Sequence, residues 1–270
     1  MESGEGRRVS RSNAGYTIRP RETLDELAGC VSLQKQIWGY AEHEVYPLRL
    51  FVTLNRIGGQ VLGAFTESNE LVGFVASMPA WHGRRRYYHS LSLGVLGAHE
   101  NRGLGRALKL AQREAALCAG IDCIEWTYDP MRAKNAFFNI ERLGAIVRRY
   151  LPDHYGRVES RLQQGLPSDR LIAEWWLKSR RVERALAGKP SRLAKRKPAA
   201  TVSIPPDFSS LADTQSTEAR RLQQEVSGRL REHFARGLAI TGFAPEKGGG
   251  SYMLDPISAA GLRPSASVVA

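Results

Sequence analysis

The stretch that decides the fold is Val95-Leu96-Gly97-Ala98-His99-Glu100-Asn101-Arg102-Gly103-Leu104-Gly105-Arg106-Ala107-Leu108. An apolar, strand-like run ends in it, two glycines follow, and an amphipathic helix begins at once. Glycine lets the backbone pass close to a ligand and point successive N–H groups the same way. A helix start adds unpaired donors and a partial positive charge, which together suit a phosphate. Arg106, in the first turn, adds a charge-assisted contact. Other phosphate loops fail on spacing. No Gly-Lys-Ser/Thr is present, so this is not the loop of the P-loop NTPases. Leu108 stands where a dinucleotide fingerprint requires Gly or Ala, and no acidic ribose partner is evident.

Outward from this loop, the helix predicted over Leu104 to Cys118 has an apolar face of Leu104, Leu108, Ala111 and Ala115, and Gly120 ends it. Upstream, Tyr16 to Arg19 reads as a strand. Thr23 is an N-cap with Glu26 as its capping-box partner, for a helix that runs to Trp38 and stops at Gly39. A second helix covers Pro47 to Arg56. Gln60 to Thr66 and Leu71 to Met78 flank a polar turn as a hairpin, and Arg86 to Leu96 is the next strand. Downstream come a strand over Ile121 to Thr127, a helix over Arg132 to Leu143 and a strand over Ala145 to Leu151. The sum is an α/β layout, helices packed on a mixed sheet.

The loop resembles the acyl-CoA-binding motif of the GNAT superfamily of N-acyltransferases, Arg/Gln-x-x-Gly-x-Gly/Ala. Gly103 and Gly105 match its two small positions, while Glu100 departs from its Arg/Gln position. The order of elements from Tyr16 to about Tyr150 is similar to that fold, a mostly antiparallel mixed sheet flanked by helices. The resemblance implies an acyl-CoA co-substrate, acetyl-CoA by default with succinyl or another acyl group as an option. Its pyrophosphate would lie on Arg102, Gly103, Leu104, Gly105, Arg106 and Ala107. A backbone N–H at Val95 or Leu96 would stabilise the oxyanion. The segment Asn135 to Gly144 looks like the family's next helix, with Asn135 where such helices contact the cofactor arm. Many members carry a Tyr four residues before that Gly as general acid; here the position is Ile140.

The implied chemistry is direct attack of a neutral amine on the thioester, which calls for a base with a pKa near the working pH. His89, in the strand expected to line the acyl site, is the first candidate. Glu125 is the second, a carboxylate inside an apolar strand whose alternation groups it with Cys123 and Thr127. Tyr128 and Tyr150 are the candidates to replace the missing acid, and Asp129-Pro130 shapes a turn. The expected acceptor is a small amine or amino acid, ahead of a protein amine. The contrasting readings are a non-catalytic CoA-sensing module and, resting on charge alone, a nucleic-acid-binding regulator.

Composition limits the classes. The chain has 270 residues, 42% of them hydrophobic, and a formal charge of +12. No apolar run approaches the roughly 18 residues of a membrane helix, and the polar start lacks the apolar region of a signal peptide. Three cysteines show no metal-ligand spacing, so no metal is expected, and they read as buried thiols in a reducing cytoplasm. Much of the positive charge falls at Arg7, Arg8 and Arg11 and in the stretch Lys189 to Lys197, with no interleaved aromatics to suggest nucleic acid. The expected organisation is a basic tail over residues 1–15, a catalytic core over 16–165, an extension over 166–255 with a linker at 188–200, and a tail over 256–270. In the extension, Asp169 to Leu177 reads as a strand, with Trp175 and Trp176 on opposite faces and Arg170 able to meet a substrate carboxylate. Ser179 to Ala187 and Asp213 to Ala235 read as helices, the latter capped by Asp213. Leu238 to Ala244 and Ser251 to Leu254 read as strands. This half looks like a less characterised branch of the superfamily. A homodimer is one option for its assembly.

Overall fold

The computed structural model describes residues 11–13, 15–21, 23–156, 165–189, 196–206, 208–214 and 216–260. The remainder of the expected tails and linker, including Arg7, Arg8 and residues 190–195, lies outside the described residues. The chain divides into two compact units, one built on the residues up to Ile124 and the other on those from Glu125 onward.

The first unit holds β1 (Arg11–Asn13), β2 (Tyr16–Pro20), α1 (Leu24–Trp38), α2 (Leu48–Arg56), β3 (Gln60–Phe65), β4 (Leu71–His82), β5 (Arg85–Val95) and α3 (Leu104–Cys118). Strands β1 to β5 lie in chain order, each antiparallel to the next. Every residue of β3 is buried, because helices cover both faces of the sheet. Leu62 and Val75 meet the apolar face of α3, while Val61 and Phe74 meet α1 and α2. The period of two divides one continuous apolar run between two cores. A bulge interrupts β5. Ser77 pairs with Ser90 but Ala76 pairs with Ser92, leaving Leu91 as the extra residue. The face that α3 covers therefore takes Ser90 before the bulge and Leu93 after it.

In the second unit are the last four residues of β6 (Cys123–Tyr128), then α4 (Ala133–Phe137), β7 (Ile146–Leu151), β8 (Arg170–Trp176), α5 (Arg180–Leu186), β9 (Ala200–Ile204), α6 (Phe208–Thr214), α7 (Ser216–Ala235), β10 (Leu238–Glu246) and β11 (Gly249–Pro256). Its strands run in the order β6-β8-β7-β10-β11-β9. No helix among the described residues is long and apolar enough to cross a membrane.

Several sequence expectations need correction. The single helix expected over Arg132 to Leu143 is α4 followed by a π-turn, Phe138–Arg142, closed by the Leu143 N–H on the Phe138 carbonyl at 3.0 Å. Gly144 then turns left-handed at φ 78°, and a Cβ there would press on the Val182 backbone at 3.0 Å. Asp213 does not cap a long helix. It lies inside α6, and α7 begins separately at Ser216. The stretch read as linker ends in β9, whose alternate residues Val202 and Ile204 enter the core. Arg11–Asn13, assigned to the tail, pairs with β2, and Ile257–Ala260 forms a 3-10 turn.

Candidate active site

The loop joins the two best-anchored elements of the first unit. Val95 ends β5 opposite Gly73, and the Leu96 N–H donates to the Val72 carbonyl at 2.8 Å. That bond corrects one expectation. The Leu96 N–H is committed to the sheet, and the Val95 N–H, one residue back, points away from β4. Gly97–His99 forms a 3-10 turn, and His99 Nδ1 shares a 2.9 Å hydrogen bond with the Tyr16 hydroxyl. Arg102 donates to the same hydroxyl at 3.3 Å, so two side chains of the loop are tied to β2. A cavity of about 640 Å³, lined by Tyr16, Thr66, Glu67, Ser68 and Arg102 among others, opens beside it.

Asn101 and Gly103 both take left-handed backbone, at φ 59° and 80°, and turn the chain into α3. Gly103 is the N-cap residue, and no side chain caps the helix. The first turn contains no acidic residue and carries Arg106. Its N–H groups have no partner within the helix. Leu104 and Ala107 are buried against the sheet and fix the entry rather than facing a ligand. Gly105 differs from Gly103. Its backbone is helical, and an added Cβ would meet nothing closer than Leu93 Cδ2 at 3.7 Å. The protein's own packing does not require glycine at that point, where glycine costs about 1 kcal/mol relative to alanine. An external group passing close to the backbone does require it.

Other candidates divide between the units. His89 lies in the first, half-buried on β5 opposite Met78, on the face that turns Leu91 toward α1 and α2. Glu125, Tyr128 and Asn135 lie in the second. Glu125 is buried and its carboxylate accepts from Arg149 at 2.7 Å. It is therefore held in an ion pair, which does not suit the free base expected of it. Tyr128 is buried, and its hydroxyl has no hydrogen-bond partner among the described residues. Burial pushes its phenol above the ordinary range. It is a donor that keeps its proton, a weaker acid than an exposed tyrosine. Tyr150 donates to Asp169 at 2.6 Å, and burial raises it likewise. Asn135 is exposed in the first turn of α4. Ile140 is buried, so no side chain there offers a proton. Trp175 is core, its indole donating to the Leu143 carbonyl at 2.7 Å, and Trp176 is half-buried.

Residues 27–144 match the model of the acetyltransferase (GNAT) family. The chain belongs to the GNAT family. By class it is an N-acetyltransferase. No curated protein matches it by sequence. Among solved structures, the ribosomal-protein-S18-alanine N-acetyltransferase of Escherichia coli is similar at 13% identity and TM-score 0.49, covering 61% of this chain and 95% of that one. Arabidopsis thaliana NAA60 with a bisubstrate analogue is similar at 17% identity and TM-score 0.47, covering 60% and 97%. A GNAT-family acetyltransferase of Streptococcus pneumoniae is similar at 16% identity and TM-score 0.47, covering 59% and 98%.

Two clusters escaped the sequence reading. In the GNAT chain's first unit, Lys109 is buried on the sheet side of α3 and donates to Ser90 Oγ and Gln112 Oε1, both at 3.0 Å. Burial lowers its amine to about 7. In the second, Arg148 and Arg149 meet Glu174 as well as Glu125. Polar residues set among apolar ones, Lys109 beside Leu108 and Glu174 beside Trp175, were the available signal.

Proposed function

We propose that the protein transfers an acyl group, acetyl by default, from acyl-CoA to the nitrogen of a small amine or amino acid. The entrance to α3 carries this reading. Its helix start has no side-chain cap and no acid, and includes a glycine that the packing does not need, between two arginines. Those features suit a pyrophosphate held on backbone N–H groups, with Arg102 and Arg106 adding charge.

In the step itself, the amine nitrogen bonds to the thioester carbonyl carbon and the C–S bond breaks. CoA leaves as a thiolate and takes up one proton, while the new amide nitrogen loses one. Positioning supplies most of the rate, and the Val95 N–H is the donor for the developing oxyanion. His89, on the same strand, is the residue assigned to take the amine's proton. The reaction would run in the cytoplasm, where Cys30, Cys118 and Cys123 stay as the free thiols seen among the described residues.

A second reading rests on Ile140. With an apolar, buried residue at the family's acid position, the protein would bind CoA as a sensor without turnover.

Calorimetric titration with acetyl-CoA, succinyl-CoA and free CoA, followed by an amine screen with the preferred donor, tests both. Saturable binding with turnover supports the transferase. Binding without turnover on any amine supports the sensor. The absence of binding to all three overturns the assignment of the loop.

A further inference from the structure

The sheet of the second unit has one face that differs from the rest of the molecule. On β7, Val147 pairs with Ala173 and Arg149 with Ile172, so the strand holds one residue more than its partner. Strict alternation would send Arg148 and Arg149 to opposite faces. The bulge turns both the same way. There Arg148 grips Glu174 with two bonds, Nε to Oε1 at 3.0 Å and a terminal nitrogen to Oε2 at 2.5 Å. Arg149 bridges Glu125 at 2.7 Å and Glu174 at 3.6 Å. Arg170 stands on the same face of β8 as Ile172 and Glu174, and its guanidinium lies over the ring of Tyr155 at 5.2 Å.

Depth separates the two signs of charge. The Glu125 and Glu174 side chains are 2% and 0% exposed, while those of Arg149 and Arg148 keep 27% and 22%. The acids lie beneath and the guanidiniums above them, reaching solvent. Three arginines stand over two carboxylates, so the face has a net positive charge. As a way of holding strands together this is poor design, because an apolar set of similar volume stabilises as well or better. What the buried acids do provide is a fixed orientation for planar, five-donor groups that match a carboxylate. Flat apolar surface lies alongside. Tyr155 is 48% exposed, and the half-buried Trp176 is held by its indole N–H on Glu174 at 3.3 Å.

We propose that this face seats the acceptor, and that Arg149, flanked by Arg148 and Arg170, receives its carboxylate, which makes the acceptor an amino acid. The inference rests on the transferase reading above and narrows its substrate class. The amino acid's side chain lies against Tyr155 and Trp176.

The test compares the common amino acids, in both enantiomeric forms, with their carboxamides as acceptors for the full-length protein. Each amide keeps the amine and the side chain and loses only the charge. Wild type favours the acid over its amide in kcat/KM by roughly ten- to a hundredfold, the rate equivalent of one hydrogen bond to a charged group. Arg149→Lys keeps a cation above Glu125 but loses the fork, and Arg170→Gln leaves the Arg148 and Arg149 pairs intact. In both, the acid-to-amide ratio falls toward one through the acceptor KM, while acyl-CoA affinity measured by calorimetry stays as in wild type. Failure of wild type to bind acyl-CoA would overturn the transferase reading itself. Normal acyl-CoA binding with acid and amide used equally, or with neither used, overturns this one, as does a ratio that both variants preserve.

Discussion

Helices α1 and α3 open with tetrapeptides that share one residue and oppose each other in the rest. α1 begins Thr23-Leu24-Asp25-Glu26, and α3 begins Gly103-Leu104-Gly105-Arg106. At α1 the Thr23 hydroxyl accepts the Glu26 N–H at 3.2 Å, and two acids sit in the first turn against the positive end of the helix dipole. The Glu26 carboxylate also pairs with Arg19 at 2.6 Å. Chain atoms satisfy that terminus. At α3 no side chain caps, no acid neutralises, and the second and third positions are a glycine and a cation. The shared leucine is used differently as well: Leu24 is 63% exposed, while Leu104 at 1% pins the loop to the core. One helix start is closed from within, and the other is held rigid and left open for an anion.

The largest effect should come from making α3 resemble α1. Gly105→Asp places a side chain and a negative charge where the phosphates would lie, as Asp25 does in α1. Gly105→Val adds bulk alone. Since the nearest protein atom to a new Cβ is Leu93 Cδ2 at 3.7 Å, both variants should fold. Losing one or two charge-assisted bonds corresponds to roughly a hundredfold or more in affinity. Calorimetry with acetyl-CoA should therefore show binding lost in the Asp variant and strongly reduced in the Val variant, with the circular dichroism spectrum of wild type. Unchanged affinity in both would remove the open helix start from the site.

Local chemistry made this contrast legible in the sequence. Thr23, Gly39, Gly103 and the apolar stripe of α3 each report on backbone within a turn of themselves, and the bounds of α1 and α3 follow from them. The chemistry beyond the loop was less legible. Glu125 stands alone in an apolar strand, and only a partner 24 residues away, brought over by β7, shows it to be paired. The bulge that puts Arg148 beside Arg149 depends on which residues of β8 they face, which no local signal carries. β9 was lost because Pro and Ala around it mask an alternation only two apolar residues long, Val202 and Ile204. The π-turn is a property of how the chain reaches Gly144 and α5, again a tertiary matter.

The two helices also differ at their buried polar side chains, and pH can expose that difference. In α1 the buried polar residue is the neutral Gln34, bonded both ways to the Tyr46 backbone at 3.1 and 2.9 Å. In α3 it is Lys109, lowered by burial from 10.5 to about 7. Between those values the unfolded chain binds a proton that the folded protein does not, so stability should rise with pH across the window. Below about 7 both states carry the charge and the cost of burying it is complete. Lys109→Met should flatten the rise in melting temperature through this range and gain most at its acidic end. A wild-type profile that is level between the two values would show that Lys109 stays charged in the fold.

The smallest effect is expected at the closed helix start. Thr23→Ala removes the hydroxyl that accepts the Glu26 N–H and should cost about 1 kcal/mol of stability, the usual worth of an N-cap. Because α1's acids and cap serve only its own backbone, acetyl-CoA affinity should stay as in wild type. Chemical denaturation and calorimetry on the same sample give both numbers. The pair of outcomes is what separates the two helix starts: a change at Thr23 moves stability and leaves binding alone, while a change at Gly105 moves binding and leaves stability nearly alone. If Thr23→Ala weakened acetyl-CoA binding as much as it lowered stability, α1 would be part of the ligand's support, and the division between a start that serves the fold and a start that serves the ligand would fail.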